Sequence, residues 1–101
     1  MRLWVDDERE APAGFEHAKT ASEAIDILKN FEVEEISLDH DLGDHHVPEQ
    51  TGNTVLLFIE KRVFTEPDYI PPTIKINTAN TSARIKMEAG RRKIEQYAQG
   101  R

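Results

Sequence analysis

Apolar positions along the chain change period several times, and each change predicts an element. Arg2–Val5 (RLWV) is a short β-type run that stops at two aspartates, Asp6 and Asp7. A turn-rich connection with Pro12 and Gly14 follows, then Phe15–Lys19 as a second short strand. Ala21, Ala24, Ile25, Leu28 and Phe31 fall at helical spacing, and Thr20 with Glu23 has the spacing of a capping box, so a helix opens after Thr20. Glu34–Leu38 reads as a strand ending at Asp39. The polar stretch from Asp39 to Gln50, with Gly43 and Pro48, reads as a loop. Val55–Ile59 is a continuous apolar run that by itself also suits a strand. Its extension through Glu60, Lys61 and Arg62 to Val63 favours a buried helix starting near Thr51. A connector holding Pro67, Pro71 and Pro72 leads to a strand over Thr73–Asn77. The last helix begins near Thr81 or Ser82, either of which suits an N-cap, and buries Ala83, Met87, Gly90, Ile94 and Tyr97.

Strands alternating with helices in this order predict an α/β fold of three layers, a mostly parallel four-stranded sheet covered on both faces by three helices. The first pair of strands is the exception. Only about eight residues join them, where a parallel crossover usually takes about a dozen, so an antiparallel pair also fits. The 101 residues and 38% apolar content suit one domain spanning 1–101.

Composition removes several chemistries. The chain has no cysteine, which excludes disulfides, thiolate nucleophiles and thiolate metal sites. No run reaches the ~20 apolar residues of a membrane span and no signal-peptide core is present, so the expected location is cytoplasmic. Charge is uneven. Residues 1–50 carry 14 Asp/Glu against 4 Lys/Arg, whereas residues 81–101 carry 2 against 6. The acidic half argues against a groove for duplex DNA and for bound divalent cations; the basic end suits an anion.

If the strands are parallel, their C-terminal ends share one edge. Asp6 and Asp7 close the first strand, Thr20 follows the second, Asp39, His40 and Asp41 close the third, and Asn77, Thr78 and Asn80 close the fourth. Ligands of open α/β sheets bind in the crevice at that edge. Carboxylates gathered there repel unless a cation sits among them. Oxygen donors suit Mg²⁺, Mn²⁺ or Ca²⁺, and the nitrogen of His40 tilts the choice toward Mn²⁺. A cation held this way polarises a phosphoryl oxygen or activates water, and His40 beside it suits proton transfer. Arg84 and the N-terminal amides of the last helix suit phosphate oxygens. The chemistry predicted is metal-assisted phosphoester hydrolysis or transfer.

The residues that carry this site also carry a resemblance. LWVDDER and ISLDHDLGD resemble the acidic pair and the phosphate-accepting aspartate of two-component receiver domains, which implies a receiver/flavodoxin-like fold. The stretches LWVDDEREAP, KTASEA, ISLDHDLG, TGNTVLLFIE and INTANTSAR more closely resemble a compact, diverged family described as cyclic-phosphate-processing receiver domains. That resemblance implies a phage or bacterial hydrolase acting on cyclic phosphates of nucleotides or RNA ends. It implies Asp6, Asp7 and Asp39 at the metal, His40 and Asp41 beside them, and Thr78, Asn80 and Arg84 near substrate. The chain departs from the family pattern at Asn77, where the family has histidine, and at Thr78, where it has serine. The lysine that closes a fifth strand in true receivers is missing together with that strand.

Plainer roles compete for several of these residues. Asp6 with Asp7 also suits a polar turn. One of Asp39, His40 and Asp41 suits buttressing the loop. Asn80 suits a helix terminus as well as a phosphate. His17 reads as structural, Trp4 as a core residue, His45 and His46 as exposed loop, and Arg91, Arg92 and Lys93 as a solvated helix face. Three functions remain distinct: a metal-dependent phosphoesterase, a receiver-like binding module for a nucleotide or protein without turnover, and a phosphoacceptor with Asp39 as its site.

Overall fold

The computed structural model describes residues 1–42 and 51–100. Four strands, β1 (Arg2–Val5), β2 (Phe15–Ala18), β3 (Glu35–Leu38) and β4 (Thr73–Ile76), form one sheet in the order β2-β1-β3-β4. Three helices alternate with them: α1 (Ala21–Asn30), α2 (Gly52–Thr65) and α3 (Thr81–Gln99). All three strand pairs are parallel, including β1 with β2. The short first connection therefore does return the chain to the same end of the sheet. It does so as an open loop without a helix, turned by Gly14 at φ +87° and by a Phe15 N–H to Pro12 carbonyl bond of 3.1 Å.

The α/β class, the four parallel strands and the three helices are as the sequence predicts, and the fold is receiver-like. The layering differs in one respect. α2 packs against both α1 and α3, so the three helices lie side by side on one face. Register explains which face. Leu3, Ile36 and Ile74 lie abreast, as do Val5, Leu38 and Ile76, and with α1, α2 and α3 residues such as Leu28, Ile59 and Met87 they form the core. The other face carries Arg2, Trp4, Ser37, Lys75 and, from β2, Phe15 and His17. Strand order gives the cause. The β2→β3 and β3→β4 crossovers run the same way across the sheet, and right-handed crossovers then place both helices on the same side. Only β1→β2 runs the other way, and it has no helix to lay on the second face. Trp4 is accordingly half-buried rather than a core residue, with its indole N–H donated to the Arg9 carbonyl at 3.1 Å and its ring edge-on to Phe15.

Helix starts follow from their caps. Thr20 Oγ1 accepts the Glu23 N–H at 3.1 Å, as expected of a cap. Thr51 precedes α2, where Thr54 Oγ1 accepts the Thr51 N–H at 3.1 Å. The cap of α3 is Asn80, not Thr81 or Ser82: its Oδ1 accepts the Ala83 N–H at 3.0 Å. Phe31 is the C-cap of α1 and 59% exposed, so the apolar stripe ends at Leu28. Gly43, Asp44, His45, His46 and Pro48 lie outside the described residues, as does most of the polar loop assigned to them. No described helix is long and apolar enough to cross a membrane.

Candidate functional site

The parallel ladder continues one residue past the strands. Asp6 N–H donates to Ala18, Asp39 N–H to Val5 and Asn77 N–H to Leu38, at 3.1, 2.9 and 2.8 Å. Asp6, Asp39 and Asn77 are thereby lined up at the tips of β1, β3 and β4. Asp7 joins them: Asp6, Asp7 and Asp39 each offer a carboxylate oxygen, and these oxygens lie within 4.8 Å of one another. The backbone, not the side chains, sets the proximity of Asp6 and Asp39, because each is the first residue after a strand whose register is fixed by the core behind it, and Asp7 follows Asp6 directly.

Asp6 is 1% exposed and well satisfied. Its Oδ1 accepts the N–H groups of Glu8 and Arg9, both at 2.9 Å, and its Oδ2 accepts Arg9 Nε at 2.7 Å. Burial pushes its pKa up, but those N–H donors and the guanidinium outweigh it and hold the carboxyl below the usual range. Behind it, His17 Nε2 bonds the Asp6 carbonyl at 2.6 Å, which gives the β2 histidine a bracing role.

Asp39 is poised the other way. Burial raises its pKa, and the Asp6 charge adds to the rise. The His40 N–H at 2.7 Å on Oδ1, the Thr78 hydroxyl and Arg9 offset this only in part. A buried and a half-buried carboxylate a few ångströms apart, the second reluctant to ionise, form a donor set whose charge a hard divalent cation would relieve. The residues present therefore fit such an ion.

Around this cluster the other predicted residues fall into two groups. Thr78 reaches it with its hydroxyl and His40 with its backbone N–H, while the His40 ring turns to Asp41. His40 Nδ1 is 2.8 Å from Asp41 Oδ1, and Thr78, 3% exposed, bonds Asp39 and accepts the Asn80 N–H at 3.2 Å. Asp41 touches the ring of His40 rather than the carboxylate cluster. Asn80 spends its carbonyl on the helix cap, and Arg84 Nη2 donates to the Thr78 carbonyl at 2.8 Å. Both stand at the α3 N-terminus beside Thr78, with Arg84 exposed.

Sequence reasoning assigned no role to two residues that shape the site. Arg9 joins the tips of β1 and β4: besides Asp6, it reaches Asn77 Oδ1 from Nη1 at 3.1 Å and the Asn77 carbonyl from Nη2 at 2.6 Å, and Nη2 is 3.9 Å from Asp39. The signal lay in the DDER string, where an arginine three residues after a buried aspartate is within reach of it. Gly52 is the second, packed directly on the Asp39 backbone. A cleft of about 740 Å³ lies elsewhere, beside Phe31, Tyr69 and Ile70 at the opposite end of the sheet.

A parallel β2-β1-β3-β4 sheet with acids gathered at its C-terminal edge and a hydroxyl closing the fourth strand defines a receiver-like domain. The chain matches the cyclic-phosphate processing receiver domain over residues 1–93, and it belongs to that family. No curated protein and no solved structure matches it.

Proposed function

We propose that this domain is a metal-dependent phosphoesterase that processes a cyclic phosphate of a nucleotide or of an RNA end. The observation that supports the reading most is the convergence of Asp6, Asp7 and Asp39 within 4.8 Å at the strand tips, beside the Thr78 hydroxyl and the α3 N-terminus. Asp6, Asp7 and Asp39 would hold Mg²⁺ or Mn²⁺, which supplies charge stabilisation at a phosphoryl oxygen. Thr78 fixes the Asp39 carboxylate through its hydroxyl. Asp41 accepts the Nδ1 proton of His40 and so leaves Nε2 free to take a proton from water or give one to a leaving oxygen. Asn80 and Arg84 flank the helix terminus, where backbone N–H groups favour phosphate oxygens.

Incubation with Mn²⁺ or Mg²⁺ and a panel of 2′,3′-cyclic and 3′,5′-cyclic nucleotides and RNA ends tests the reading. Metal-dependent ring opening that is lost in a folded Asp39→Asn variant supports it. Binding without product at every member of the panel sinks it in favour of a module without turnover. The Asp39–Thr78 bond also occupies the place of the acceptor aspartate and hydroxyl in receivers. Covalent labelling of Asp39 by a small phosphodonor would therefore favour the phosphoacceptor reading instead.

A further inference from the structure

We propose that Arg9 is a resident cation of the acidic crevice that sets how tightly a divalent ion binds there. The inference rests on the metal-holding reading above and concerns what competes with the ion. A carboxylate offers about four acceptor positions. On Asp6 three are taken, by the Glu8 and Arg9 N–H groups on Oδ1 and by Arg9 Nε on Oδ2. One position remains, on the oxygen that already carries the guanidinium. Asp6 is 1% exposed, whereas the Arg9 side chain is 49% exposed, so solvent lies beside the guanidinium to receive it if an ion displaces it. An ion that takes Asp6 must share Oδ2 with Arg9 or displace it, and it meets a second repulsion from Nη2, 3.9 Å from Asp39.

Asn77 is what keeps the guanidinium there. Its Oδ1 and carbonyl oxygen hold Nη1 and Nη2, so three of the five N–H donors of Arg9 are fastened across the crevice. An amide oxygen stays uncharged and accepting at every pH, so the fastening is constant. Metal affinity is thereby held down by a built-in competitor.

Mn²⁺ titration followed by the loss of the free-ion electron paramagnetic resonance signal tests this without reference to turnover. Arg9→Gln removes the charge and is expected to bind Mn²⁺ about tenfold more tightly than the unaltered protein. Arg9→Lys keeps the charge, though not the bridge to Asn77, and is expected within about threefold of the unaltered protein. Circular dichroism melts check that both variants fold. Equal or weaker binding by Arg9→Gln overturns the inference and leaves Arg9 a brace. Equal tightening in both variants overturns it too, because the effect then belongs to the lost bonds and not to the charge. Absence of Mn²⁺ binding in all three proteins refutes the metal reading itself, and this one with it.

Discussion

Gly52 lies against Asp39 so closely that a Cβ at position 52 would stand 1.9 Å from the Asp39 carbonyl oxygen and 2.8 Å from the Met87 methyl. The contact is paired with a bond in the same place, since the Gly52 N–H donates to the His40 carbonyl at 3.0 Å. The first turn of α2 is thus laid directly on the backbone that presents the third acid and the imidazole. Only a residue without a side chain fits between them.

Gly52→Ala is therefore expected to cost about 3 kcal/mol, at the upper end of overpacking, because the obstructing atoms are backbone and cannot rotate aside. Urea unfolding measures the loss. The same variant moves Asp39 relative to Asp6 and Asp7, so Mn²⁺ affinity falls with stability. Unchanged stability would show that α2 does not press on the β3 tip.

Asp39 and Asp6 carry opposite stability signs. The raised pKa of Asp39 means that the folded chain binds the proton more tightly than the unfolded chain, whose value is near 3.8. Between those two values stability falls as pH rises, and the deficit persists above them. Asp39→Asn, measured with chelator present, is expected to melt higher than the unaltered protein at neutral pH. The gain should vanish below the unfolded value, where both proteins are uncharged at this position. Asp6 has a lowered pKa, so its contribution is present above 3.8 and is lost as pH falls through its folded value. Asp6→Ala removes three acceptors' worth of bonding from a buried position and is expected to cost about 3 kcal/mol at neutral pH. A pair of pH-dependent melting curves with slopes of the same sign would contradict the assignment.

Much of this arrangement is legible in the chain because strand ends coincide with charge. Val5-Asp6 and Leu38-Asp39 mark where apolar alternation stops, and parallel pairing then forces the two aspartates together. The orientation of β2 was not legible, since a short link lacking a helix suits either direction and only the completed register decides. Nor was the single helix layer, which follows from the order β2-β1-β3-β4 and not from any local pattern. The cap of α3 was not singled out, because Asn80, Thr81 and Ser82 stand side by side and all three suit a helix start. Arg9 was obscured because one of its partners, Asn77, is 68 residues away and becomes a neighbour only once β1 and β4 share a sheet edge.

The one-sided sheet predicts unequal tolerance on adjacent residues of β4. Ile74 is 4% exposed and faces the helices, whereas Lys75 faces the open side and pairs with Glu35 at 3.3 Å. Ile74→Ala is expected to lose about 3 kcal/mol, within the range for core truncation. Lys75→Ala should stay within about 0.5 kcal/mol, the scale of an exposed ion pair. Comparable losses at both positions would mean that the second face is covered in solution.

The His40–Asp41 contact gives the last prediction, for the proposed reaction. Asp41 is 73% exposed, so its 2.8 Å bond to Nδ1 adds little to stability, and Asp41→Asn should leave the melting temperature nearly unchanged. Its effect belongs to chemistry. An asparagine can present an amide N–H to Nδ1 as readily as an oxygen, which moves the ring proton to Nε2 and removes the free lone pair there. The turnover number is then expected to fall about tenfold with KM unchanged, while His40→Gln, which has no proton to exchange near neutral pH, falls about a hundredfold. Ordering matters more than the sizes: if Asp41→Asn lowers turnover as far as His40→Gln does, Asp41 acts on the substrate or the ion directly. If His40→Gln is fully active, the proton moves through another group, and the imidazole only buttresses the loop behind Asp39.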